Sequence, residues 1–323
     1  MLVLAHVMDT LPTLQPISPH LFSRKQVRSQ EPDLLSAVEE KILCAVYKLP
    51  YLRIDQLVRF LGYEPTSLEW VRKKVKALVA REYLDIQPLP RLTSYGVLPH
   101  LFILGTHGIT FFQEKGYPVF YHSPKERLRS YGHITHALRV SEVILAASCL
   151  SRFAPEIELI AFHHDLRIKH TPICVTVDNK PVKLNPDAIL DWYLAPPFGN
   201  PGADRFTCFV EVDNNEEDCS QLTPKIAKYV SFLEQQIVAH PFGFQSINAI
   251  AFLVCSGGLR RVRLLKTWIQ TELDRLGKLS YAKAFQIAPL PLLSSCALPM
   301  LYLSPVFYSV DAETPAPLIA KLL

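Results

Sequence analysis

The sequence predicts an α/β protein in which an N-terminal winged helix-turn-helix precedes an α/β sandwich with a mixed sheet. Two observations support this fold class. Residues 33–122 hold three helix-period segments and then two strand-like segments, which is the order of elements in a winged helix. From residue 128 onward the apolar period changes between 3.6 and 2, giving a helix, about four strands, a helix, a strand, a helix and a last strand.

The length agrees with this division. A chain of 323 residues corresponds to about two domains at roughly 100–200 residues each. Residues 1–32 are rich in proline and are expected to form a flexible tail. We therefore predict a winged helix domain over 33–122 and an α/β domain over 128–323.

The third helical segment, over residues 68–84, is the predicted recognition helix. Its apolar stripe leaves a basic face, and a helix in the major groove needs cations for phosphates and arginine for guanine. A second basic cluster follows Gly257-Gly258, where the start of a helix could bind a phosphate. The candidate DNA-binding residues are Arg72, Lys73, Lys76, Arg81, Arg91 in the wing, Arg260 and Arg261. The alternative is that these charges form ordinary solvated helix faces.

The second domain is predicted to open with a helix over 130–153. A crossover helix before the final strand should make that strand parallel to a neighbour. A bulge is expected at His163-His164 in the first strand. The predicted strands cover 156–169, 172–178, 188–195, 205–214, 247–257 and 298–310, with helices over 220–239 and 259–276.

Composition excludes several classes of protein. Hydrophobic residues make up 49% of the chain, so it is not a disordered protein. We expect a cytoplasmic protein without a membrane segment, because no apolar run approaches 18–20 residues and the N-terminus lacks a basic region. The net charge of +4 is small, but it divides into +5 over residues 1–150, −5 over 151–250 and +4 over 251–323. The basic excess therefore lies with the proposed DNA surfaces.

The acidic middle segment holds the candidate catalytic residues. Glu211 and Asp213 are two apart on one strand and should project from the same face, where Asp187 on a neighbouring strand can join them. Carboxylate oxygens suit Mg²⁺ or Mn²⁺, and such a cation could activate water for attack on a phosphate. Glu142 on the opening helix is a candidate further ligand or supporting acid, and Lys225 a candidate catalytic cation.

Pro186-Asp187 followed by a strand with Glu211-Val212-Asp213 resembles the PD-(D/E)xK nuclease superfamily. The order of helices and strands agrees with that superfamily. One position departs from its pattern, since the superfamily usually has Lys where this chain has Asp213. Lys225 on the following helix could supply the missing cation; without it, the site would be inactive.

A closer resemblance covers about residues 35–270. It comprises the winged helix, His133 to Leu138, Pro186-Asp187, Phe209 to Asp213, Lys225 with Lys228-Tyr229, and a Cys-Ser-Gly-Gly-Leu-Arg-Arg turn. These motifs resemble the replication-relaxation family of bacterial plasmids and mobile elements. The resemblance implies a role in plasmid replication, relaxation or transfer. It leaves open whether the domain cuts DNA.

These residues and the resemblance are consistent with two alternative functions. The first is a DNA-binding protein of a plasmid or mobile element, with an Mg²⁺-dependent endonuclease domain acting on double-stranded DNA. The second is a non-catalytic replication or transcription regulator whose nuclease-like domain forms a homodimer or binds other mobile-element proteins. Other hydrolase classes have little support, because the chain contains neither GxSxG nor GxxxxGK[ST].

Overall fold

The computed structural model describes residues 34–87, 100–120, 129–198, 205–215, 217–235, 242–244, 246–290 and 298–320. The predicted flexible tail over 1–32 and Arg91 lie outside these residues. The chain forms one two-stranded sheet, one six-stranded sheet and a separate hairpin within the described ranges.

The N-terminal elements occur in the predicted order of three helices and two strands. The two strands pair antiparallel, with Leu84 opposite Leu104, and a fourth helix follows them. The elements are α1 (Ala37–Lys48), α2 (Ile54–Phe60), α3 (Leu68–Ala80), β1 (Leu84–Gln87), β2 (Leu101–Leu104) and α4 (Thr106–Glu114).

Local chemistry explains where α1 begins. The Ser36 side chain accepts a hydrogen bond from the backbone of Glu39, whose carboxylate in turn accepts one from the backbone N–H of Ser36 at 2.8 Å. This reciprocal capping satisfies two N–H groups that the first turn leaves unpaired. Ser36 is therefore the N-cap of α1.

The rest of the chain builds a six-stranded mixed sheet with helices on both faces. The strand order is β10-β9-β8-β7-β6-β3; β7, β8 and β9 run parallel, and the other neighbours pair antiparallel. Strands β4 and β5 form the separate hairpin. The elements are α5 (Tyr131–Cys149), β3 (Ile157–His164), α6 (Asp165–His170), β4 (Ile173–Val177), β5 (Lys180–Leu184), β6 (Ala188–Leu194), β7 (Arg205–Asp213), α7 (Cys219–Gln235), β8 (Ala249–Val254), α8 (Gly258–Arg275), β9 (Phe285–Pro289) and β10 (Tyr308–Ser309).

Each face of this sheet has its own apolar cluster. Strand β7 alternates between them, with Val210 facing the cluster that contains α5, and Phe209 facing the cluster that contains α7 and α8. The first cluster also includes the buried residues of α1 to α3, so it is continuous from the N-terminal helices to the sheet. The α/β class and the mixed sheet are confirmed.

Four details of the predicted sheet were wrong. The predicted strand over 156–169 ends at His164, and Asp165–His170 form α6. The strand after the last long helix is Phe285–Pro289, whereas the predicted strand over 298–310 is a 3-10 helix followed by the two residues of β10. The hairpin of β4 and β5 does not join the main sheet. The irregularity in β3 lies between Leu159 and Ala161 rather than at His163-His164.

Helix α5 together with its following turn is long and apolar enough to cross a membrane, by length and composition. Its most apolar window is 72% buried inside the fold, which is typical of a core helix. Its surroundings therefore account for its hydrophobicity.

Candidate functional site

The predicted acidic residues lie at one edge of the six-stranded sheet. Asp187 directly precedes β6, and Glu211 and Asp213 end β7. The Asp187 backbone N–H donates to the Val210 carbonyl at 2.9 Å, and its carboxylate accepts the Val212 N–H at 2.8 Å. Asp187 is therefore bonded to the peptide groups on both sides of Glu211.

Helix α7 supplies the partners of Glu211. Lys225 Nζ donates to Glu211 Oε2 at 3.1 Å, and the Tyr229 hydroxyl donates to Oε1. Residues four apart on a helix share a face, so both side chains reach the same carboxylate. Lys225 also contacts Glu217 at 2.6 Å. The lysine that the sequence suggested as a replacement cation thus lies beside the strand acid.

Burial dominates the electrostatics of Glu211, whereas neighbouring charges dominate those of Lys225. Burial raises the pKa of Glu211 to about 7; Lys225 opposes the rise, and the Asp187 charge adds to it. For Lys225, burial acts against the charged form, but Glu211 and Glu217 together raise the pKa of its ammonium above the ordinary value. Lys225 is therefore a permanent cation, whereas Glu211 changes charge near neutrality.

Asp213 has a different partner. Arg261 of α8 binds it with two hydrogen bonds of 2.8 Å each, and donates a third, of 2.7 Å, to the Glu217 carbonyl. The guanidinium also lies over the Trp268 ring. Asp213 and Arg261 are both 5% exposed. Asp213 is therefore occupied as an ion-pair partner, and Arg261, which the sequence placed on the DNA surface, lies inside the fold.

Helix α5 adds two groups, His136 and Arg139, that the sequence did not single out as site residues. His136 Nε2 donates to Asp187 Oδ1 at 3.0 Å, and His136 Nδ1 lies 3.3 Å from the Asn214 amide nitrogen. Arg139 binds Asn214 Oδ1, which turns the amide nitrogen toward the imidazole. Burial disfavours the charged imidazole, but the hydrogen bond and charge of Asp187 outweigh burial and raise the pKa of His136. In the neutral form, the donation from the Asn214 amide to Nδ1 leaves the ring proton on Nε2. The signal in the sequence was the spacing of His136 and Arg139, three apart on one helix face.

Glu142 takes no part in this cluster. Its carboxylate is 1% exposed and accepts hydrogen bonds from Arg53, Gln56 and Arg59 at the contact between α5 and α2. It was predicted as a further metal ligand, but these three donors already surround it. Across the described ranges, no group of three or more His, Cys, Asp or Glu side chains is placed to hold a metal ion.

The basic face of α3 is only partly available. Lys73 and Lys76 are exposed, and Arg72 pairs with Glu69 on the same helix. Arg81 lies 3.7 Å from the Glu39 carboxylate of α1. At the other predicted DNA contact, Arg260 is exposed at the start of α8. Among the predicted DNA contacts, the side chains most available to a phosphate are therefore those of Lys73, Lys76 and Arg260.

The comparisons with known proteins agree with the resemblance seen in the sequence. A family model described as replication-relaxation matches residues 43–245. The chain belongs to the replication-relaxation family. The matched range of this replication-relaxation protein runs from α1 past α7, so it contains Asp187, Glu211 and Lys225. No curated protein and no solved structure matches it. Membership supports a role in replication or relaxation of plasmids or mobile elements.

Proposed function

We propose that this replication-relaxation protein binds double-stranded DNA of a plasmid or mobile element and hydrolyses a phosphodiester bond there. One observation carries the proposal: Asp187, Glu211 and Lys225 meet at one sheet edge, with Lys225 Nζ 3.1 Å from Glu211. Two acids beside a cation are the groups that a PD-(D/E)xK site needs. Here the cation comes from a helix instead of the strand.

The acidic pair fits a hard divalent cation. Mg²⁺ is commonly held by one or two carboxylates together with substrate phosphates and water, so Asp187 and Glu211 suffice as protein ligands. When bound, Mg²⁺ or Mn²⁺ would supply Lewis-acid polarisation of the phosphate and a more acidic water. Asp213 fits this role less well, because the buried Arg261 cation pairs with both of its oxygens, whereas the Lys225 cation pairs with only one oxygen of Glu211.

The protein's own groups would stabilise the charge on the phosphate and hold the two carboxylates in place. Lys225 is partly exposed and stays cationic, so it can stabilise the negative charge that builds on the phosphate. The Tyr229 hydroxyl fixes the orientation of Glu211. His136 and the Val212 N–H hold the two oxygens of Asp187. The carboxylates are thereby fixed before substrate arrives, which lowers the cost of reaching the reactive geometry.

For the N-terminal elements we propose a winged helix, with α3 as the recognition helix. The support is the order of three helices and two antiparallel strands, together with exposed Lys73 and Lys76 on the outer face of α3. Cations on such a face neutralise phosphates and give salt-dependent binding.

Nicking of supercoiled plasmid in Mg²⁺ tests the catalytic proposal. Asp187→Ala and Lys225→Met should each lower the rate by on the order of a hundredfold or more, the usual loss when one charge-stabilising group is removed. Lys183→Met is the matched control, because Lys183 is an exposed lysine on β5 outside the site. Equal nicking by wild type and Asp187→Ala would refute catalysis at this site.

A second function is favoured by the Asp213–Arg261 pair. At the position where the PD-(D/E)xK pattern has a lysine, this chain has Asp213, which forms a buried ion pair with Arg261. Such a structural ion pair is expected in a nuclease-like domain that has lost catalysis and serves a regulator as a dimerisation or partner-binding module. Calorimetric titration with Mn²⁺ separates the two functions. A site lost in Asp187→Asn supports the nuclease; no binding to wild type, together with a dimer in sedimentation, supports the regulator.

A further inference from the structure

Helix α5 makes polar contacts with α2 of the N-terminal elements. Glu142 accepts hydrogen bonds from Arg53 at 3.0 Å, Gln56 at 2.8 Å and Arg59 at 2.7 and 2.9 Å. The carboxylate is 1% exposed, so these bonds replace its hydration. Removing one hydrogen-bond partner of a buried charge destabilises a fold. The contact between α5 and α2 is therefore most stable in the one geometry that keeps all three donors on Glu142.

A second pair of contacts fixes the same two helices near the end of α5. The Arg59 carbonyl accepts from Arg152 at 2.8 Å and lies 3.8 Å from Cys149 Sγ. Cys149 is seven residues after Glu142 and lies on the same face of the helix. Helix α2 is thus held against α5 at two points, which restricts both sliding and rotation.

The earlier turns of α5 reach the candidate site. His136 binds Asp187, and Arg139 binds Asn214. His136 and Glu142 are six residues apart, about 9 Å along one continuous helix. One continuous helix therefore contacts both α2 and the carboxylate of Asp187.

We propose that Glu142 is a positioning residue that couples the N-terminal helices to the candidate active site. Helix α2 packs against α3, the proposed recognition helix. The ion-pair cluster of Glu142 with Arg53 and Arg59 sets the geometry between α3 and Asp187, and so the spacing between the bound DNA and the phosphate to be cut. The catalytic part of this inference rests on the proposed function; the mechanical part concerns the free protein.

Hydrogen exchange of the free protein tests the mechanical part. Arg53→Gln, which leaves Arg59 and Gln56 on the carboxylate, should speed amide exchange over residues 134–140 by on the order of tenfold, the usual worth of a hydrogen bond to a charged group. Amide exchange in β8 should stay unchanged, because β8 lies outside both the α2–α5 contact and the contact of His136 with Asp187. Glu114→Gln on α4 is the control for an exposed carboxylate. Unchanged exchange over 134–140, or equal acceleration in β8, overturns the coupling.

Plasmid nicking tests the catalytic part with Glu142→Gln, a variant of similar shape without the charge. Its affinity for duplex DNA should match wild type, since Lys73 and Lys76 are intact, while kcat falls by on the order of tenfold or more from misplacement of Asp187. Equal kcat in the two proteins overturns the positioning role. If wild type itself does not nick, the proposed catalysis fails, and the exchange measurement still decides the coupling.

Discussion

Replacing Asp213 with asparagine should destabilise the fold. Its carboxylate holds Arg261 through two hydrogen bonds of 2.8 Å, and both residues are 5% exposed. Breaking a buried ion pair from one side costs roughly 3–5 kcal/mol. Arg261 keeps its bond to the Glu217 carbonyl and its contact with Trp268. We therefore expect the free energy of unfolding to fall by about 3 kcal/mol, the lower end of that range.

Urea denaturation followed by circular dichroism measures this loss. Arg261→Met should cost a similar amount, and the double variant less than the sum, because the second substitution removes the charge that the first left unpaired. Asp274→Asn, an exposed aspartate on α8, is the control. A loss below about 1 kcal/mol for Asp213→Asn, with Mg²⁺ stabilising wild type alone, would refute the ion-pair role and restore Asp213 as a metal ligand.

Three further predictions concern other parts of the molecule. Lys73→Glu with Lys76→Glu should weaken duplex binding and lower its salt slope by about two, measured by fluorescence anisotropy; an unchanged slope excludes α3 as the DNA surface. The raised pKa of Glu211, about 7, favours its neutral form in the fold, so the stability it contributes is complete below about pH 4.5 and is lost as pH rises through 7. Glu211→Gln should remove that pH dependence from urea midpoints between pH 5 and 8, and an unaltered profile contradicts it. Gly108→Ala should lower the melting temperature although alanine favours helices, because its Cβ would lie 2.2 Å from the Tyr83 carbonyl; a stabilised variant would contradict this packing.

Local patterns were sufficient to predict part of the site. Glu211 and Lys225 are close in the chain, and a strand followed by a helix returns the lysine to the strand end. The bond between His136 and Asp187 joins residues 51 positions apart. No periodicity fixes which turn of α5 faces that edge, so the sequence marked His136 only as part of the His133 to Leu138 motif and gave it no partner. The partner of Asp213 was missed for the same reason, since the sequence placed Arg261 on the proposed DNA surface.

The missed strand has a different cause. Strand β9 has only five residues and ends in Pro289, so it carries little alternating pattern. The longer apolar segment after residue 297 looked more like a strand, but a proline cannot donate to a sheet ladder, and this segment contains Pro299 and Pro305. Sheet membership was decided by pairing with β8, a long-range contact that the segment itself does not encode.

At the site, basic residues pair with carboxylates of the acidic middle segment. The PD-(D/E)xK pattern that the sequence resembles has a lysine where this chain has Asp213, and an isolated buried carboxylate there would be costly. Arg261, from the basic C-terminal segment, removes that cost, while Lys225 supplies the cation that the strand lacks. Among the described residues of the site, four carboxylates (Asp187, Glu211, Asp213 and Glu217) face three permanent cations (Lys225, Arg261 and Arg139), so full ionisation of the carboxylates with His136 neutral leaves one negative charge. Burial raises the pKa of Glu211, the Asp187 charge adds to the rise, and a divalent cation bound by Asp187 and Glu211 would favour the ionised carboxylate. Binding of Mn²⁺ should accordingly release protons near pH 7, and calorimetry in buffers of different ionisation enthalpy measures that release directly.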